Sequence, residues 1–300
     1  MALAACGVPT SATEAPVAPP PGKAPPSFVQ TSASSGGVTT LTESMTVGGL
    51  KRSYLLVRPT KVPAGRRLPV VMILHGINVT PQIEERRTGF LPLATSQAAI
   101  LVYPAGYKEA WNAGACCSNP GTPANIDDVA FITDVVYDVL ATQPANPAQV
   151  YLAGYSDGGK MTYRVACADP SLFAGFGAAE AVATSTCKAH EPESFVEVIS
   201  SGDPEIAYDP SDPAKRLNGF TELSATAQID QFVSLDRCSS NPTSAVAGKM
   251  TTLEWRQCAD ARRVELATLA GGSHAWPDGA NGSPSAEAVI WTFWTGRAFP

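Results

Sequence analysis

The chain has 300 residues, 44% hydrophobic and 16% charged, a balance that suits one globular domain with a sizeable core. Its net charge is −6 and no basic cluster is long enough to track phosphates, which excludes a nucleic-acid-binding surface. No apolar run reaches the roughly 18 residues that a membrane-spanning helix requires.

The first residues differ in composition from the rest. Leu3-Ala4-Ala5-Cys6-Gly7 resembles a bacterial lipobox, in which Cys6 becomes an acylated N-terminus, although no charged start and apolar core precede it. Residues 11–35 are rich in Pro, Ala, Ser and Thr and hold almost no large apolar side chain. Such a segment buries too little surface to fold and reads as a tether. The expected division is therefore a lipobox-like start and linker over 1–36 and a single catalytic domain over 37–300.

Beyond the linker, strands and helices alternate. Thr39 to Val47 and Leu50 to Val57 read as two strands joined at Gly48-Gly49. Val70 to Leu74 is a β-branched, fully apolar run that reads as a central buried strand and stops at His75-Gly76. A helix near Leu91 to Ala98 and a strand over Ile100 to Tyr103 follow. Asp127-Asp128 opens a helix to about Thr142, with acidic residues at its positive end and Phe131, Val135, Val136 and Val139 on one face. Then come strand Val150 to Ala153, a helix from Lys160 to Cys167, and strands near Phe173 to Ala178 and Phe195 to Ile199. Asp209 to Leu217 reads as a loop insertion. Strands Leu253 to Arg256 and Val264 to Leu269 precede a closing helix over Ser285 to Trp294. Strands alternating with helices imply an α/β fold with a mostly parallel central sheet covered on both faces. No repeat at solenoid periods is present, and neither the three histidines nor the cysteines show metal-ligand spacing, so no metal or cofactor is expected.

Between the strand at Val150 and its helix lies Gly154-Tyr155-Ser156-Asp157-Gly158. A G-x-S-x-G segment in that place is a nucleophile elbow. The turn is so tight that small residues must flank the serine, whose hydroxyl stands clear of the sheet edge. The competing reading is a glycine-rich turn with a capping serine. A serine nucleophile needs a histidine base and an acid. His274, in Gly271-Gly272-Ser273-His274-Ala275-Trp276-Pro277, follows the last strand and is the candidate base. Asp203 leaves the strand ending near Ser200 and is the candidate acid, with Asp209 and Asp212 as nearby rivals and a plain Asp-Pro turn as the bland alternative. The order serine, acid, histidine is the one such a site requires. The backbone N–H groups of Ile77, after His75-Gly76, and of Asp157 would form the oxyanion hole. His190 reads as a surface-loop residue. Trp111, Asn112 and Trp276 are candidate substrate contacts, with packing as the alternative, and Tyr155 reads equally well as structural.

On these residues the chain resembles the polyhydroxybutyrate depolymerase and feruloyl/acetylxylan esterase group of secreted α/β-hydrolases. The resemblance spans about Leu50 to Trp294 and rests on several segments. They are Gly48 to Tyr54, Leu74-His75-Gly76, Leu101 to Gly106, Trp111-Asn112 with Cys116-Cys117, Asp127 to Ile132, the elbow from Ser156 to Arg164, and Gly271 to Pro277. It implies Ser156 as nucleophile, Asp203 as acid and His274 as base, no cofactor, and an extracellular or cell-envelope location. The implied substrates are short polyhydroxyalkanoate chains, feruloyl or acetyl esters, or similar small esters. The segment at the acid, Ile199-Ser200-Ser201-Gly202-Asp203, departs from the family's H-G-x-x-D, and Ile77 stands where the family often has cysteine. A serine peptidase or acyltransferase with the same triad, or a non-catalytic envelope lipoprotein, are the rival functions.

Cysteine usage points the same way. With Cys6 set aside, six cysteines remain, an even number that suits disulfides in an oxidising compartment. Cys238 and Cys258 are expected to pair. The neighbours Cys116 and Cys117 are not expected to bridge each other; one bridge or two from them to Cys167 and Cys187 is expected, with the connectivity left open by the sequence. A monomer is expected, with membrane attachment only through Cys6.

Overall fold

The computed structural model describes residues 31–300 apart from 124, 188–192 and 218. Cys6, most of the tether and His190 lie outside the described residues. In chain order the elements are β1 (Thr31–Ser35), β2 (Val38–Val47), β3 (Leu50–Pro59), β4 (Leu68–Leu74), α1 (Pro81–Arg87), α2 (Leu91–Thr95), β5 (Ile100–Pro104), α3 (Asp128–Thr142), β6 (Ala145–Tyr155), α4 (Asp157–Ala168), β7 (Gly175–Ala179) and β8 (Phe195–Ser200). Short strands β9 (Arg216–Leu217) and β10 (Phe220–Thr221) form a separate hairpin. They are followed by α5 (Ala225–Leu235), β11 (Thr243–Ala247), β12 (Met250–Trp255), β13 (Val264–Leu269) and α6 (Ala286–Thr295).

The large sheet has 11 strands in the order β1-β2-β3-β5-β4-β6-β7-β8-β13-β12-β11. From β5 to β13 every neighbour is parallel, whereas both flanks are antiparallel. The parallel centre matches the sequence reading, and the antiparallel flanks extend it. Alternation in β4 shows why the centre is buried on both sides. Leu68, Val70, Met72 and Leu74 join one core with α3 and α5, while Val71 and Ile73 join the other with α2 and α6. The predicted apolar face of α3 is buried, and the Asp127 side chain caps its N-terminus by accepting from Ala130 N–H at 2.9 Å.

Two expectations are corrected. Thr31–Ser35 is not tether but the outermost strand, paired from Thr31↔Thr42 to Ser35↔Val38. All five side chains are exposed, so its pairing is a backbone matter and leaves no apolar signature in the sequence. Cys238 pairs with Cys258 as expected, but Cys116 is bonded to Cys117 and Cys167 to Cys187. The two neighbours are held in one tight turn, with Cys117 N–H donating to Trp111 O at 2.9 Å and Ala113 N–H to Cys116 O at 2.6 Å.

The strand order reverses beside β4. β5 lies on one side of it and β6 on the other, so the carboxyl ends of these strands open at a switch point, where α/β sheets place their sites. Register then sets the neighbours. Leu74 pairs with Gly154, which brings the His75-Gly76 turn against the turn after β6.

Candidate active site

Ser156 sits between β6 and α4 with φ 52° and ψ −116°, a backbone conformation that non-glycine residues rarely hold. Its N–H donates to Ala179 O at 3.0 Å and its carbonyl accepts from Lys160 N–H at 2.9 Å, so sheet and helix together impose the turn. The flanking glycines are steric necessities. A Cβ on Gly154 would collide with the Gly158 carbonyl, and one on Gly158 would collide with that of Leu74.

Ser156 Oγ lies 2.8 Å from His274 Nε2, and His274 Nδ1 lies 2.7 Å from Asp203 Oδ2. With the Nδ1 proton facing the carboxylate, Nε2 is left to accept the serine proton. Asp203 follows β8 and His274 follows β13, adjacent parallel strands, so acid and base leave the sheet side by side. Their turns are tied together: Gly202 N–H donates to Gly271 O at 2.8 Å, and Gly271 N–H to Ser201 Oγ at 3.0 Å. The other Asp203 oxygen accepts from the N–H groups of Glu205 (2.6 Å) and Ile206 (3.1 Å). Burial works to raise the Asp203 carboxyl, but hydrogen bonds from His274, Glu180 and Glu205 N–H outweigh it and leave the group below the usual aspartate value. The rivals Asp209 and Asp212 are exposed and hydrogen-bond within their own loop. Tyr155 is structural: its hydroxyl donates to the His274 carbonyl at 2.9 Å.

The His75-Gly76 turn abuts the elbow. A Cβ on Gly76 would stand 3.1 Å from the Tyr155 ring and 3.6 Å from Ser156 Cβ. Ile77 follows at the surface, 39% exposed. Asp157 is the first residue of α4, where helix geometry leaves the N–H without an intrahelical acceptor. Both proposed oxyanion donors thus come from backbone beside Ser156. The Asp157 side chain points inward and is buried, with its Oδ2 accepting from Trp111 N–H at 2.9 Å. Burial pushes this carboxyl well above the usual aspartate range, against the pull of the Trp111 N–H. The Cys116 and Cys117 sulfurs and an Asp157 carboxylate oxygen lie within 4.8 Å of one another, so the vicinal disulfide packs under the elbow.

The three residues expected to contact substrate serve the scaffold instead. Trp111 is fully buried, stacks on Phe131, and donates its indole N–H to the His75 carbonyl at 2.9 Å. Asn112 spends its side-chain N–H on Ile126 O at 3.0 Å and its backbone N–H on Asp128 Oδ2 at 2.8 Å. Trp276 is buried edge-on to Phe90 and Tyr155 and donates to Glu287 at 2.9 Å. In each case the polar handle has found an internal acceptor, which orients the group away from solvent. Sequence reasoning missed two carboxyl groups at the site. Glu205 Oε2 lies 3.5 Å from His274 Nε2 at the exposed rim. Glu180 lies buried at the exit of β8, where its carboxyl accepts from Ser200 Oγ, and a lone charge inside the apolar run Ala178-Ala179-Glu180-Ala181-Val182 was its available signal.

A parallel-centred sheet covered by helices on both faces, with a serine on a strained strand-to-helix turn and with an acid and a histidine after later strands, defines an α/β-hydrolase. The fold comparison agrees. An S-formylglutathione hydrolase from Agrobacterium tumefaciens superposes with a TM-score of 0.56 at 11% identity, covering 90% of this chain and 96% of that one. The model of the esterase PHB depolymerase family matches residues 52–264, and the chain belongs to that family. NocK of Nocardia uniformis subsp. tsuyamanensis, a protein described as an esterase, is 28% identical over 88% of this chain and 84% of its own length. Feruloyl esterase B of Piromyces equi is 24% identical over 77% of this chain, which spans 44% of that longer protein. The protein is a carboxylic ester hydrolase.

Proposed function

We propose that Ser156 forms an acyl-enzyme with small or oligomeric esters. In this reading His274 Nε2 takes the Ser156 proton as Oγ attacks the ester carbonyl, and Asp203 steadies the imidazolium. The N–H groups of Ile77 and Asp157 hold the oxyanion, and preorganised backbone donors of this kind contribute about 3 kcal/mol each to transition-state stabilisation. His274 then protonates the leaving alcohol. Water activated by the same nitrogen releases the acid and restores the serine. The observation that carries this reading is the continuous chain from Ser156 Oγ through His274 to Asp203, at 2.8 and 2.7 Å.

The substrate class we propose is soluble: short hydroxyalkanoate oligomers, feruloyl or acetyl esters, or comparable small esters. Support comes from the family and from the feruloyl esterase among the relatives. Hydrolysis of p-nitrophenyl acetate, butyrate and octanoate and of methyl ferulate, by wild type and Ser156→Ala, tests both parts. Turnover should drop by about 10⁴-fold or more in the variant, and the preferred ester identifies the acyl class. Equal turnover by Ser156→Ala would end the acyl-enzyme reading, and efficient erosion of a solid polyester film would end the soluble-substrate reading. The disulfides suit an oxidising compartment. We extend this to export with anchoring through Cys6. A Cys6 peptide without an acyl mass, isolated from the native membrane fraction, would refute the anchor.

A further inference from the structure

Glu180 takes no part in the chemistry above, yet it is among the most deeply buried charged groups of the described residues. It follows β7 with φ 51°, a left-handed backbone that a non-glycine residue rarely adopts. That turn sends the side chain under the exit of β8. There Ser200 Oγ donates to Glu180 Oε1 at 2.6 Å, and Ser200 N–H is 3.0 Å from both carboxyl oxygens. Asp203 N–H in turn donates to the Ser200 carbonyl at 3.1 Å, so the residue that holds the Glu180 carboxyl also anchors the acid, and the two carboxyl groups influence each other directly. Two adjacent carboxylates cannot both stay ionised in a buried site, so the pair must hold a proton. Asp203 already accepts from His274 Nδ1 and from the N–H groups of Glu205 and Ile206, all of which favour its anion. The proton therefore belongs to Glu180.

We propose that Glu180 is a positioning residue: as a neutral carboxylic acid bridged to Ser200, it donates a hydrogen bond to Asp203 and fixes the acid that orients His274. Burial first, and the Asp203 carboxylate second, push Glu180 up to about 9, in keeping with this assignment. The ionisable groups facing it come from three further elements: Glu197 of β8, Tyr155 of β6 and, through Asp203, His274 on the loop after β13. Glu197 is itself held above the usual range by burial, and Tyr155 likewise, so neither supplies a charge that would ionise Glu180 earlier.

The inference rests on Asp203 and His274 acting as acid and base, so it is read only on a wild type whose activity disappears in Ser156→Ala. The test is kcat and KM for p-nitrophenyl acetate from about pH 6 to about pH 10, with full-chain wild type, Glu180→Gln and Glu180→Ala, alongside thermal melts. Glutamine keeps a donor for Asp203 and an acceptor for Ser200 but cannot ionise. Near pH 7, Glu180→Gln should keep kcat within about twofold, while Glu180→Ala should lose about tenfold or more in kcat with KM little changed. Wild type should lose kcat/KM as Glu180 ionises near the value of about 9, and Glu180→Gln should lack that limb. Three outcomes overturn the proposal: glutamine as damaging as alanine, alanine with wild-type kcat, or an unchanged alkaline limb in Glu180→Gln. If Glu180→Ala does not fold, the limb in Glu180→Gln decides alone.

Discussion

Two histidines follow the carboxyl ends of strands, one bonded to the serine of the elbow and one on the turn that abuts it, and their surroundings differ sharply. His75 is 1% exposed and spends both ring nitrogens inside the protein. Gly106 N–H can only donate, so His75 Nε2, 2.8 Å away, is the acceptor, and the proton on Nδ1 goes to Gly76 O at 2.8 Å. Burial lowers this imidazole to about 4, and it stays neutral. His274 is half-buried, with one nitrogen on a carboxylate and the other on a hydroxyl. A histidine becomes a base where one nitrogen is committed to an anion and the other faces a proton that has somewhere to go. A ring saturated by backbone partners is a rivet, and here it fixes the turn that carries Ile77.

Replacing each histidine should separate these roles. His274→Ala should lower kcat/KM by about 10⁴-fold while leaving the thermal melt close to wild type; a loss under tenfold would mean that another base serves Ser156. His75→Gln should do the reverse and cost about 2 kcal/mol of stability in a denaturant titration near pH 7, through broken buried hydrogen bonds. Its pH dependence sharpens the contrast. The folded value of about 4 lies below the ordinary 6.5, so the unfolded chain binds the proton first and His75 withdraws stability as pH falls between those values. The gap between wild type and His75→Gln should therefore narrow below about pH 6.5, by up to about 1.4 kcal/mol per pH unit. A constant gap would place the charge change elsewhere. The smallest effect is expected for Trp111→Phe, which removes the indole donor to the His75 carbonyl. We expect a loss of about 1 kcal/mol in stability and a modest fall in kcat.

The same contrast explains what could be read from the chain alone. The elbow, the buried run of β4 and the N-cap of α3 are local patterns, and their residues sit where the patterns require. Asp203 and His274 could be named from strand order alone, and the structure brings them within 2.7 Å of each other; their work as acid and base is what we propose. What escaped depended on partners far away in sequence. Trp111 and Trp276 could have lined a pocket until their indole N–H groups were seen to meet His75 and Glu287. Thr243–Ala247 and Thr31–Ser35 are exposed edge strands of small and polar residues, with no apolar alternation to announce them. Helix α5, which buries Ile229 and Phe232, lay in a stretch whose Ser, Thr, Gln and Asp content masked its apolar face.

The most direct test of the account is covalent labelling with a fluorophosphonate, followed by intact-mass and peptide analysis of wild type, His274→Ala and His75→Gln. One adduct is expected, on the peptide carrying Ser156. It should form rapidly in wild type and folded His75→Gln, and slower by orders of magnitude in His274→Ala, where no base takes the serine proton. An adduct on another residue, or equal labelling of Ser156 without His274, would contradict it.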